Sequence, residues 1–210
     1  MPRRATLTTA AITAAALDVG DRAGPAAMSM RRIAAELGCD PMALYRHFPD
    51  RAALLDAVAD RALADVVLPA ADRPWDVRLT GILTALRAAA LRHPGIAGHI
   101  ASRPPLGEHA QPILGAIATA LADAGLSPVD GVRVAQTLIA YLSAAIAMGA
   151  RAGAPDARWM QVKDAISALP GAPPGDALPL TGSDDQFSYG LELLVAGVRA
   201  KAASPPGDKR

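Results

Sequence analysis

Residues 28–51 read MSMRRIAAELGCDPMALYRHFPDR, a stretch that predicts two short helices joined by a tight turn and the start of a third. The first helix follows Ser29, a good N-cap residue, and its apolar face recurs at i, i+3, i+4 and i+7: Met30, Ile33, Ala34 and Leu37. Gly38 ends this helix, because glycine adopts left-handed backbone angles at little cost. Asp40 and Pro41 then suit the cap and the first position of the next helix.

The second helix is very short, roughly from Pro41 to His47. Leu44 and Phe48, four residues apart, are its inward anchors. The residues left outside are Ala43, Tyr45, Arg46 and His47. A brief helix that presents such a surface is typical of helix-turn-helix proteins, which place it in the DNA major groove. An ordinary corner between two helices in a helical protein is the alternative on this pattern alone.

Composition favours an all-α protein. The low net charge means that binding to DNA phosphates would have to rely on a few well-placed arginines. Hydrophobic residues make up 51% of the 210 residues but aromatic residues only 3%, so alanine, leucine and valine must build the core. The formal net charge is only +1, and residues 1–51 hold seven arginines against five acidic residues. The single cysteine, Cys39, excludes an intrachain disulfide and is expected to pack at the turn.

Proline-rich residues 68–74 predict a boundary between a first domain, 1–67, and a second, 68–210. The first domain also holds a helix from about Ala5 to Val19 and a fourth helix from Asp50 to about Val67. The second domain is predicted to hold helices at about 75–93, 95–102, 108–124, 128–151 and 156–169, a flexible loop at 170–185, and a terminal helix from Phe187.

The helix near 128–151 is apolar on nearly all sides and must therefore be covered twice, by its own core and by a ligand cavity or another subunit. Its uncharged run, from Arg133 to Arg151, is shorter than the roughly 20 residues that a bilayer span needs, so no membrane is expected. No catalytic or metal-binding motif accompanies the four histidines. An all-α enzyme and a protein-interaction module remain the alternatives to a DNA-binding protein.

The motif resembles the tetracycline-repressor (TetR) family over roughly the first third of the chain. The resemblance is carried by residues 33–39 (IAAELGC), 43–48 (ALYRHF) and 50–55 (DRAALL). Residues 99–104 (HIASRP) and 187–194 (FSYGLELL) also resemble the branch nearest the tetracycline repressor. The resemblance implies an N-terminal helix-turn-helix domain and a C-terminal helical domain for ligand binding and dimerisation. It also implies a cytoplasmic homodimer that represses transcription at a palindromic operator and is released by a small-molecule effector.

The family's DNA-contacting positions carry over to Met30, Arg31, Pro41, Met42, Ala43, Tyr45, Arg46, His47 and Arg51. Arg31 and Arg46 are expected to contact bases or phosphates, since arginine bonds guanine bidentately. Tyr45, His47 and Arg51 are expected to position the protein on phosphates. Met42 and Ala43 suit a thymine methyl group.

The effector pocket is predicted between the 75–93 helix, the turn at 99–103 and the inner face of the 128–151 helix. Its expected lining is Leu83, Leu86, His99, Ser102, Arg103, Ile113, Leu114, Ile117, Leu138, Tyr141 and Leu142. His99 matches a magnesium ligand of the tetracycline repressor, but Val67 stands where that repressor has a drug-binding histidine, and no carboxylate lies near residues 148–151. No metal and no cofactor are therefore expected, and His99 is either a hydrogen-bonding handle for the effector or a packing residue.

Overall fold

A computed structural model describes residues 7–151, 156–172, 178 and 180–203, and every regular element among them is helical, which confirms the all-α fold class. The helices are α1 (Thr9–Ala23), α2 (Met30–Glu36), α3 (Pro41–Tyr45), α4 (Arg51–Arg61), α5 (Trp75–Arg92), α6 (Pro94–Ser102), α7 (Ala110–Asp123), α8 (Pro128–Gly149), α9 (Ala157–Ser167) and α10 (Asp184–Ala203), with a short 3₁₀ helix at Pro25–Ala27. The predicted start of the first helix at Ala5 and the tail 204–210 lie outside the described residues.

Helices α1 to α4 close around a small apolar core. Its fully buried members are Ile12, Ala16, Ile33, Ala34, Leu44, Leu54 and Val58. Each helix begins at a side-chain cap that accepts a hydrogen bond from a backbone N–H of the first turn. The caps are Thr8 in α1 (3.1 Å), Ser29 in α2 (3.3 Å), Asp40 in α3 (2.7 Å) and Asp50 in α4 (2.8 Å). These caps fix where the short helices start, since such helices are marginal on their own.

Helix α1 continues beyond Val19, where the sequence predicted its end. Gly20 lies inside the helix, and Gly24, with φ of 80°, ends it instead. The backbone of α6 crosses α1 at Gly20, where Gly95 comes so close that no side chain fits between the two helices. Gly20 is therefore a contact glycine rather than a stop signal.

Helix α4 is shorter than predicted, because it ends at Arg61 and not near Val67. The amides of Leu63 and Ala64 bond to carbonyls three residues back, so the chain tightens into turns after the helix. Val67 is left 83% exposed. Helix α6 packs on both α1 and α4 and joins the two halves of the chain.

The second half is a bundle in which α5 packs on α7, α8 and α10. Arg87 of α5 is buried and holds the start of α10: it pairs with Asp184 at 2.5 Å and donates to the Gly182 carbonyl at 2.6 Å. Its guanidinium also lies 4.9 Å from the centre of the Phe187 ring. Helix α10 accordingly begins at Asp184, three residues before the predicted start.

Helix α8 has the length and mean hydropathy, 1.4, that a bilayer-crossing helix needs, and 22% of that window is buried. Its buried residues are Leu138, Leu142, Ala145 and Ile146. On the outer side, Val129 and Val132 are more than half exposed. The exposed apolar surface is confined to one side of α8, since the opposite side packs on α5, α6 and α7.

Candidate DNA interface and effector cavity

The turn between α2 and α3 has the geometry that the sequence predicted. Gly38 has φ of 62°, and the Cys39 amide bonds to the Ala34 carbonyl at 3.0 Å, which closes the end of α2. Leu44 is fully buried and Phe48 is 5% exposed, so these two side chains anchor α3 to the core. The rest of α3 is free to face a partner.

Most of the predicted DNA-contacting residues are exposed on α2, on α3 or directly after α3. Arg31, Tyr45, Arg46 and His47 are exposed, and Met42 is 67% exposed. Pro41 and Ala43 are half-buried at the base of the helix. Arg31 and Arg46 form no ion pair with any residue in the described part of the chain. Arg32, which is not among the predicted contacts, is equally exposed next to Arg31.

Two members of the predicted set are placed differently. Met30 is only 7% exposed and belongs to the core, so its side chain does not reach a DNA surface. Its apolar-face spacing already indicated this position. Arg51 donates from Nε to the Met28 carbonyl at 2.8 Å and from Nη2 to the Pro25 carbonyl at 3.3 Å. Its guanidinium therefore fastens the segment before α2, which leaves fewer donors for a phosphate.

An apolar cavity of about 60 Å³ lies inside the second half of the chain. Six of the predicted lining residues surround it: Leu83, Leu86, Ile113, Leu114, Ile117 and Leu142. The remaining lining residues were not among those predicted: Leu63, Ile100, Pro104, Pro105, Ala110, Ile139, Ser143 and Ile146. Ile139, Ser143 and Ile146 lie three to four residues from Leu142 and so share one face of α8 with it. This helical spacing could have predicted these three residues from the sequence.

Leu138 and Tyr141, which the sequence placed in the pocket, face α10 instead. The Tyr141 ring stacks on Phe187 with centroids 5.7 Å apart, and its hydroxyl donates to the Phe187 carbonyl at 2.9 Å. Burial raises the pKa of this hydroxyl, against a smaller opposing effect of Arg87. Leu138 lines a groove between α8 and α10.

His99, Ser102 and Arg103 also lie outside the cavity. His99 Nε2 is 2.8 Å from Asp56 Oδ1, and Arg103 Nε donates to the same oxygen at 2.6 Å. Ser102 donates to the carbonyls of its own helix. Asp56 thus joins the end of α6 to α4, which favours the packing alternative for His99.

A second aspartate of α4 holds the far end of the same segment. Asp60, 7% exposed, accepts hydrogen bonds from the amides of His109 and Ala110 at 3.1 and 3.0 Å, so it caps the start of α7. Gly107 packs directly against this carboxylate: a Cβ there would lie 2.4 Å from the Asp60 carboxyl carbon, so a larger residue would displace Asp60 from its capping position. Asp56 and Asp60 therefore fasten both ends of residues 103–109, which include the cavity-lining Pro104 and Pro105.

The pH dependence of stability should reveal the Asp56 contacts. Arg103, and then His99, lower the pKa of Asp56 below its ordinary value of 3.8. A lowered pKa adds stability at neutral pH that is lost as the pH falls through the folded-state value. We expect Asp56→Asn to cost at most about 1 kcal/mol at pH 7, because a partly exposed pair is screened. Urea unfolding should show this difference shrinking below about pH 4; a difference that grew in acid would contradict it.

Within the described ranges, no three histidine, cysteine, aspartate or glutamate side chains lie close enough together to hold a metal ion. Asp56 and Asp60, which hold the two ends of residues 103–109, already accept hydrogen bonds from their neighbours. Residues 103–109 thus contribute Pro104 and Pro105 to the wall of the apolar cavity and are bound to α4 through Asp56 and Asp60.

Family models match both halves of the chain. The model of bacterial regulatory proteins of the tetR family matches residues 12–58. The model of the tetracyclin repressor-like C-terminal domain matches residues 68–202. The two matches follow one another along the chain, as the resemblance implied.

Known proteins agree with these matches. The tetracycline repressor protein class A from transposon 1721 of Escherichia coli is 34% identical over 88% of this chain and 87% of its own length. The structure of apo ActR from Streptomyces coelicolor is 28% identical, covers 95% of this chain and 100% of its own, and superposes with a TM-score of 0.82. BioQ with its natural double-stranded DNA operator is 28% identical, covers 93% of this chain and 99% of its own, with a TM-score of 0.67. The chain belongs to the tetR family of bacterial regulatory proteins.

Proposed function

We propose that this protein is a cytoplasmic transcriptional repressor that binds a palindromic operator as a homodimer and is released by a small-molecule effector. The observation that carries the proposal is the outer surface of α3, where Met42, Tyr45, Arg46 and His47 are exposed above two buried anchors. A helix held in this way is suited to the major groove. BioQ, similar over nearly the whole chain, has been solved with its operator.

The proposed contacts divide by chemistry. Arg31 and Arg46 read bases or hold phosphates, because both guanidiniums are exposed and neither has an ion-pair partner in the described part of the chain. Tyr45 and His47 position the protein on phosphates, and Arg51 supports this surface through the segment it fastens. Met42 and Ala43, with Pro41 at the base of the helix, offer apolar contacts to a thymine methyl group.

Dimerisation is proposed on the outer faces of α8 and α10. Val129 and Val132 of α8 and Tyr189 and Leu193 of α10 are each more than half exposed. A groove between these helices is lined by further apolar side chains, including Leu138, Leu194 and Val198. A second copy of the chain would cover both faces with four helices, and it would hold two α3 helices at the spacing of two half-sites.

Release is proposed to pass through residues 103–109. An effector in the cavity presses on Pro104 and Pro105, while Asp56 and Asp60 connect the two ends of this segment to α4. Displacement of the segment would tilt α4 and change the separation of the two α3 helices. The effector must bind the DNA-incompetent shape more tightly, because equal affinity for both shapes would shift nothing. ActR has been solved in complex with actinorhodin, which shows a small-molecule complex for a protein of this fold.

Operator binding tests the proposal directly. Purified protein should bind a palindromic fragment from its own upstream region, and Arg46→Ala should weaken that binding by about 1–3 kcal/mol if the arginine reads a base. The measurement is a fluorescence-anisotropy titration on the operator and on scrambled DNA at fixed salt. Arg92→Ala, which removes an exposed arginine at the C-terminal end of α5, outside α2 and α3, is the matched control. Equal affinity of wild type and Arg46→Ala for both DNAs would overturn the proposal.

A further inference from the structure

The walls of the cavity are almost entirely hydrocarbon. Leucine, isoleucine, proline and alanine make up the lining except for Ser143 of α8. No charged or aromatic side chain lines it. An ionised group that entered would lose its hydration without gaining a counter-charge, which is costly in an apolar site.

Ser143 of α8 lines the cavity and also an open depression beside α6, and its hydroxyl is free to bond a ligand. Three hydroxyls, on α6, α7 and α8, donate to carbonyls one turn back: Ser102 to Gly98 at 3.0 Å, Thr119 to Gly115 at 2.9 Å and Thr137 to Arg133 at 2.9 Å. Ser143 has no hydrogen-bond partner among the residues that the structure describes. A single polar group in an apolar pocket fixes the orientation of a bound molecule.

We propose that the effector is an uncharged hydrophobic compound, bound without a metal ion, whose one polar group bonds to Ser143. This rests on the proposed function of the cavity as the effector site. A metal chelate would find no carboxylate or imidazole in these walls and only the Ser143 hydroxyl as a side-chain oxygen, and His99 Nε2 is held by Asp56 at 2.8 Å. The chain thereby differs in ligand chemistry from a repressor that reads a metal–drug complex.

The size of the cavity adds a second property of this ligand. About 60 Å³ is well below the roughly 300–1,000 Å³ of ordinary ligand pockets. Pro104 and Pro105 separate the cavity from an open cleft of about 990 Å³ between α1, α4 and residues 103–109. A ligand larger than this cavity therefore gains its room by moving this segment, which is the segment held by Asp56 and Asp60.

Three matched probes test the ligand class: naphthalene, 1-naphthol and 1-naphthoate, each titrated against the full chain without DNA. We expect naphthalene and 1-naphthol to bind, and 1-naphthoate to bind at least about tenfold more weakly than 1-naphthol. Tetracycline with magnesium chloride should bind more weakly than 1-naphthol. The proposal is overturned if the carboxylate or the magnesium complex binds as well as 1-naphthol, or if neither uncharged probe binds.

The role of Ser143 has its own control. Ser143→Ala should weaken 1-naphthol by about fivefold and leave naphthalene unchanged, because only the hydroxyl bond is lost. Ser102→Ala removes a hydroxyl outside the cavity and should change neither affinity. Equal losses for both probes in Ser143→Ala would indicate a packing role and contradict the proposal. Because these titrations contain no DNA, they separate a wrong ligand class from a wrong repressor function, which the operator titration detects.

Discussion

Leu193→Asp is expected to convert the protein into a monomer and to reduce operator affinity by about 100- to 10,000-fold. Leu193 is 57% exposed on α10, next to the groove between α8 and α10, so the change costs little within one chain. In the proposed dimer the same position is covered by the second copy, where an unpaired carboxylate is strongly unfavourable. A monomer binds only one half-site, so it lacks the affinity gained when two connected α3 helices bind one operator together.

Light scattering gives the mass, and an operator titration gives the affinity. Leu106→Asp is the matched control for the mass, because Leu106 is 73% exposed in the segment between α6 and α7 and is part of neither α8 nor α10. It should keep the mass of two chains. A Leu193→Asp protein that remains dimeric and binds the operator like wild type would refute the proposed interface.

Local sequence signals predicted most of the helices, because caps and apolar spacing act over a few residues. Ser29, Asp40 and Asp50 each cap the helix that the sequence assigned to them. Leu44 and Phe48 are the anchors of α3, as their spacing indicated. The exposed surface of α3 followed from the same pattern, since residues that do not anchor a short helix are left outside.

Long-range contacts were not predictable in this way. The apolar residues around α8 indicated that it is covered on two sides, but not which element covers each side. Tyr141 was therefore assigned to the cavity, although its ring stacks on Phe187. His99 and Arg103 were assigned there too, because nothing local shows that Asp56, more than 40 residues earlier in the chain, binds both. Ion pairs between residues distant in sequence depend on the tertiary fold, and helical periodicity in the sequence does not predict which residues form them.

The crossing of α1 and α6 is another long-range contact that was not predicted, since Gly20 was expected to follow the end of α1. A substitution at this crossing should have a large effect on stability. A Cβ added at Gly95 would lie 2.3 Å from the carbonyl carbon and 2.4 Å from the carbonyl oxygen of Gly20. These are backbone atoms inside a helix, so the clash is relieved only by moving α6 away from α1. Separation of the helices would also open the contact between the DNA-binding half and the effector half.

Gly95→Ala should therefore destabilise the protein by more than about 3 kcal/mol, beyond the usual cost of overpacking. Helix propensity alone predicts the opposite, a gain of up to about 1 kcal/mol for alanine over glycine. Gly98→Ala on the same helix is the matched control: a Cβ there meets nothing within 4 Å, so only the propensity gain remains. Chemical unfolding of the two variants should shift the midpoint in opposite directions. If both variants are as stable as wild type, the close crossing at Gly20 is wrong, and with it the geometry that connects α6 to the DNA-binding helices.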